Sequence, residues 1–161
     1  NASNVTSSGF NFDSCMFVKE EKDKIMRNGH LLLNDIVFTS RGTLGNVALY
    51  DKNIKYKNVR INSGMLIIRP KGINLSPYFI YTLLKSNYMK SAIEQFRSGS
   101  AQPQLPIKDL QNITFDIPES QNVLDDLEHR FFKIEETISI NKREIGDLNE
   151  LASILLTRLS R

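Results

Sequence analysis

Two loops carry the side chains best suited to binding chemistry. Ser40-Arg41-Gly42-Thr43-Leu44-Gly45 sets an arginine and two hydroxyls between glycines. Glycine lets a backbone approach a ligand closely, while guanidinium and hydroxyl groups suit phosphates and base edges. The same six residues also describe a plain β-turn with an exposed arginine. The second loop, residues 97–106, holds Arg97, Ser100, Gln102 and Gln104. Glutamine pairs bidentately with adenine and arginine with guanine. Alternatively, Gln102-Pro103-Gln104-Leu105-Pro106 fixes a turn from helix back into strand. Between the two loops, Lys52, Lys55, Lys57 and Arg60 fall within nine residues, with Tyr56 among them. That is the composition of a phosphate-binding patch and equally of a solvated loop.

Covalent chemistry finds little to work with. There is no GxxxxGK[ST] or GxGxxG phosphate loop, and no Asp/Pro/Pro/aromatic motif of the amino-methyltransferases. The histidines are His30 and His129 and the one cysteine is Cys15, which gives no zinc spacing. Glu20-Glu21 and Glu135-Glu136 read as solvated faces, and the stripe Tyr78, Tyr81, Leu84, Tyr88 reads as core rather than a stacking platform. The expectation is a non-enzymatic binding protein with no cofactor and no metal site.

These loops need a scaffold, and the patterning supplies one. Ile36 to Ser40 is a β-branched and aromatic run, and a second run, Asn46 to Tyr50, follows the Gly-punctuated loop, which predicts a hairpin-like pair. Val59-Arg60-Ile61, Met65-Leu66-Ile67-Ile68 and Ile113-Thr114-Phe115-Asp116-Ile117 predict further strands. Ser76-Pro77 predicts a helix start, with Ser as N-cap and Pro at the first helical position. Helical pieces follow over Tyr78–Ser86 and Tyr88–Phe96, with a turn of helix at Ile107–Leu110. The fold class is therefore α/β (α+β): a small mixed-sheet body over residues 1–118.

Residues 119–161 form a separate arm. Leu124, Phe131, Ile138, Ile145, Ala152 and Leu159 recur every seven residues, with Leu127, Ile134, Asn141, Leu148 and Leu155 as a second row. This is the a/d pattern of a coiled-coil seam, and Asn141 is its register-setting polar position. At about 1.5 Å per residue the helix spans roughly 60 Å. Leu124, Leu127, Phe131, Ile134, Ile138, Asn141, Ile145, Leu148 and Leu155 are the expected helix-pairing residues. The body carries 15 Lys/Arg against 9 Asp/Glu and the arm 6 against 9, so their net charges are +6 and −3. A basic body suits a polyanion and an acidic arm suits protein. No apolar run approaches the ~20 residues of a membrane span, and the single cysteine fits a reducing cytosol, so a cytoplasmic location away from membranes is expected.

The order of segments closely resembles one family. Asn34 to Gly45 is followed by Asn62-Ser63-Gly64-Met65-Leu66-Ile67-Ile68-Arg69-Pro70, then Ser76-Pro77-Tyr78-Phe79-Ile80-Tyr81 and Gly99-Ser100-Ala101-Gln102-Pro103-Gln104-Leu105. Ile113 to Pro118 then leads into the heptad helix with its Leu148-Asn149-Glu150-Leu151-Ala152-Ser153-Ile154-Leu155 end. This is similar to one half of the DNA-specificity (S) subunit of type I restriction-modification systems: one target recognition domain plus one spacer helix.

The resemblance implies an α/β domain that reads one half of a split double-stranded DNA site. Two such domains are held apart by two antiparallel helices. Domain and helices dock methyltransferase (modification) subunits and, through them, restriction subunits. The expected DNA-contacting set is Ser40, Arg41, Thr43, Lys52, Lys55, Lys57, Arg60, Arg97, Ser100, Gln102 and Gln104. The arm is expected to pair with a second spacer helix, as an antiparallel homodimer when the chain is isolated. Family members usually have a few tens of residues before this segment, so the recognition domain is expected to be shortened at its N-terminus. Two other readings stay open: a coiled-coil scaffold without nucleic-acid binding, and the specificity tail of a fused restriction-methylation enzyme.

Overall fold

Alternation along the central strand decides which layers cover it. The computed structural model describes residues 1–71, 74–96 and 104–159. β1 (Val5–Thr6) and β2 (Gly9–Phe10) form a short hairpin, and a helix α1 (Glu20–Ile25) follows. β3 (Ile36–Thr39) is flanked by β4 (Val47–Leu49) and β5 (Met65–Ile68) in the order β4-β3-β5. All four residues of β3 are buried, so both faces of this strand are covered. Ile36 and Phe38 join Val47, Leu49, Tyr81, Leu84, Met89, Ile93 and Leu105 in one core. Val37, Ala48 and Met65 point the other way, onto Val5, Leu31 and Tyr50. Successive side chains of a strand face opposite sides, which is why one short sheet serves two cores. Burying each large apolar side chain contributes roughly 1.5–3 kcal/mol.

The helices follow local signals. Ser76 caps α2 (Pro77–Lys85), its side chain accepting the Phe79 N–H at 3.1 Å. Ser86 leaves the helical region at φ −62°, ψ 158°, and its hydroxyl accepts the Met89 N–H at 3.2 Å to start α3 (Asn87–Phe96). One turn, α4, occupies Ile107–Leu110, and α5 runs from Gln121 to Leu159.

Three expectations change. Val59-Arg60-Ile61 forms no strand; Arg60 makes only an isolated antiparallel bridge to His30. Residues 113–117 form no strand and make no ladder. Their alternation instead reflects packing, since Ile113 and Phe115 lie against the core while Ile117 is exposed. The expected mixed sheet is two small sheets whose ladders, among the described residues, are all antiparallel.

The arm is not a free rod. Phe131 packs on Phe79 with ring centroids 5.5 Å apart, and Phe132 meets Tyr78 edge-on at 4.9 Å. Glu128 accepts the Ser76 N–H at 2.5 Å, setting a negative charge at the positive start of α2. Buried Glu135 pairs with Lys85 at 2.8 Å. Further along, Asn53 donates to Ser139 at 3.3 Å, and Lys142 donates to the Ser8 carbonyl. From residue 141 to 159 every residue of the arm is exposed.

Candidate nucleic-acid interface

The β3–β4 loop leaves the Thr39 end of the sheet and is tightly held. The Thr39 hydroxyl donates to the Thr43 carbonyl and accepts the Asn46 N–H at 2.9 Å. Gly42 and Gly45 take φ of +75° and +84°, a region that strains other residues. At Gly45 a Cβ would also meet the Ile93 Cδ1 at 2.9 Å, so the loop lies directly on α3. Thr43 donates its hydroxyl to the Ala2 carbonyl at 3.2 Å, and the Asn46 amide donates to the Val5 carbonyl at 2.8 Å. Buried Ser40 uses its hydroxyl on the Gly64 carbonyl at 3.3 Å. Ser40 and Thr43 thus build the loop.

Arg41 differs. Its backbone N–H donates to the Gly64 carbonyl at 3.2 Å, and it forms an isolated antiparallel bridge with Gln104. The Leu105 N–H donates to the Ser40 carbonyl at 3.1 Å and Leu105 is buried, which pins the second loop beside the first. Both Arg41 and Gln104 are exposed, and among the described residues neither side chain has a hydrogen-bond or ion-pair partner. Arg97, Ser100 and Gln102 lie outside the described residues.

The basic run after β4 sits elsewhere. Leu49 pairs with Ile36, so residues 51–57 leave the opposite end of the sheet, roughly 13 Å away by strand rise. The Tyr50 hydroxyl donates to the Tyr56 and Lys57 carbonyls at 2.9 and 2.7 Å and braces this loop. Burial pushes that phenol's pKa up, so it stays a neutral donor. Lys52 binds Glu136 at 2.8 Å and Lys55 binds Glu150 at 2.9 Å. Those carboxylates raise both ammonium pKa values, first through the hydrogen bond and then through charge. Arg60 is bonded to Asp23, whose carboxyl it holds below the usual range, and it donates to the Asn28 carbonyl at 3.0 Å. Lys57 is exposed, and its side chain has no partner among the described residues. Of the four cations in this run, three are therefore engaged within the chain.

Sequence reasoning missed the pair that secures β3. Asp35 is buried and takes two bonds from Arg69, Nε to Oδ1 at 2.6 Å and Nη2 to Oδ2 at 2.5 Å. It also accepts the Leu32 N–H at 2.7 Å, in a turn where Asn34 takes φ 72°. The Asn-Asp pair before β3 was the available signal.

The seam residues divide. Leu124 is buried and Phe131 is half-buried on the body, with Leu127 half-buried beside them. Ile134, Ile138, Asn141, Ile145, Leu148 and Leu155 are exposed. A cleft of about 700 Å³ lies in the angle between body and arm against Phe12, Tyr56, Ile138 and Lys142. Its lining includes no residue of the 40–45 loop. Among the described residues no cluster of His, Cys, Asp and Glu is placed to hold a metal, and no helix is long and apolar enough to cross a membrane.

No curated protein matches this sequence. Residues 17–150 match the family described as type I restriction modification DNA specificity domain. The match takes in the β3–β4 loop, Gln104 and most of the arm. The chain belongs to the family of type I restriction-modification DNA specificity domains.

Proposed function

We propose that this chain is a non-catalytic recognition module that reads one half of a bipartite duplex DNA site for a type I restriction-modification complex. The observation that carries this reading is the convergence of the 40–45 and 104–105 segments at one end of the sheet. That convergence leaves an exposed guanidinium and an exposed amide side by side. Arginine and glutamine are the side chains that contact guanine and adenine edges bidentately, and exposed Lys57 is available for phosphate. The arm's apolar row, Ile134, Ile138, Ile145, Leu148 and Leu155, is exposed, with Ile138 and Ile145 at the cleft toward the body. Its occupant is an equivalent helix, antiparallel, from the other half of a full subunit or a second copy of this chain. Modification subunits dock on body and arm and carry the chemistry, with restriction subunits joining through them.

Titration of the full chain against random-sequence duplex at low and moderate salt tests the DNA reading. Binding that weakens steeply with salt is expected, because each neutralised phosphate releases counterions. No binding at either salt would leave a scaffold role instead. Sedimentation at tens of micromolar should show a dimer, and Ile138→Asp with Ile145→Asp should give a monomer with an unaltered body. A monomer for the unsubstituted chain counts against the pairing.

A further inference from the structure

We infer that Arg41 and Gln104 act as one cross-strand reading pair, taking a guanine in one base pair and an adenine in the next, through the major groove. This rests on the DNA reading above and assigns its specificity to two named side chains. The antiparallel bridge sets them directly opposite one another. In such pairs the Cβ atoms lie about 4.5–5.5 Å apart on one face. Successive base pairs are about 3.4 Å apart along each strand, so side chains of this length, set side by side, reach neighbouring steps.

Their backbones are fixed before any ligand arrives. The Gly64 carbonyl accepts the Ser40 and Arg41 N–H groups at 2.9 and 3.2 Å, and the Ser40 carbonyl accepts the Leu105 N–H at 3.1 Å. Arg41 therefore lies between two neighbours, and one of them, Gly64, has no side chain to crowd the guanidinium; a Cβ there would stand 3.9 Å from that of Arg41. A backbone already held in place loses little freedom on binding, so the ordering cost falls on the two side-chain tips. The other hydroxyls and amides of the loop are occupied: Ser40, Thr43 and Asn46 all bond backbone carbonyls. Among the described residues of these two segments, Arg41 and Gln104 keep exposed polar side chains with no partner.

The experiment is a selection by the full chain from a pool of duplexes randomised over a contiguous stretch, repeated with Arg41→Ala, Arg41→Lys and Gln104→Ala. The unsubstituted chain should enrich a motif in which a G·C pair adjoins an A·T pair. Arg41→Ala should lower the preference for the G·C pair about tenfold, and Gln104→Ala the preference for its neighbour about tenfold. Arg41→Lys keeps the charge but not the planar fork, so it should keep the salt dependence and still lose the G·C preference. Variants that return the original motif, or that weaken all sequences evenly, overturn the reading pair while the DNA function stands. Failure of the unsubstituted chain to bind any duplex overturns the DNA function itself.

Discussion

The two ends of the β4-β3-β5 sheet carry loops of similar composition and opposite use. At the Thr39 end, the Arg41 side chain projects with no partner among the described residues, from a loop whose Thr39, Ser40, Thr43 and Asn46 side chains bond backbone. At the Ile36 end, Lys52 and Lys55 reach the acidic arm at Glu136 and Glu150. Lys85 on α2 does the same at Glu135. The charge asymmetry of the sequence thus has a local meaning: part of the body's positive charge meets the arm's own carboxylates. One end of the sheet carries ion pairs to the arm, and the other is the end to which the proposed function assigns DNA. A short central strand, buried on both faces, holds the two ends at a constant separation.

This contrast can be broken in graded steps. Phe79→Ala should have the largest effect, since it empties the joint between α2 and Phe131; a loss of about 3–5 kcal/mol is expected from urea unfolding. A loss well under about 1 kcal/mol would mean that the arm leans on the body without depending on it. Next, Gly45→Ala strains a left-handed position and crowds Ile93, with an expected cost of about 1–3 kcal/mol. It should also disorder the Arg41 loop, visible as faster amide exchange over residues 40–46 with the arm end unchanged. Equal loss of protection at both ends would show that the sheet does not insulate them. Smallest, Lys52→Ala and Lys55→Ala should hardly alter the unfolding midpoint, because exposed pairs contribute little and are screened by salt. A marked drop in the midpoint for either would give those pairs a structural weight that the Phe79–Phe131 joint was expected to hold.

The sequence made the local elements legible where one signal dominated. Apolar runs bounded by Gly, Asn and Pro located β3, β4 and β5, Ser76-Pro77 located the start of α2, and the heptads located α5. Elements that depend on distant partners were not legible. Alternation over residues 113–117 is satisfied by packing of Ile113 and Phe115 with no ladder, and a period of two cannot tell these cases apart. The hairpin of β1 and β2 has strands of only two residues each, too short for any periodicity. At the candidate site, the loop carrying Arg41 was evident from its glycines, and the bridge joining it to Gln104 was not. Lysines at 52 and 55 look the same in sequence whether they face phosphate, water or a carboxylate; only the tertiary path of the arm distinguishes them. The docked face of the arm was hidden for a similar reason. Glu135, Ser139 and Lys142 are polar, so a count of apolar heptad positions passes over them.

The most direct test compares the two ends on one duplex. Affinity is measured across a range of salt for the unsubstituted chain, for Arg41→Ala, and for Lys52→Ala combined with Lys55→Ala. Arg41→Ala should bind more weakly, and the double variant should keep both the affinity and the salt dependence of the unsubstituted chain. The opposite pattern would contradict the account: full binding by Arg41→Ala, and a double variant whose log–log salt slope falls by about two.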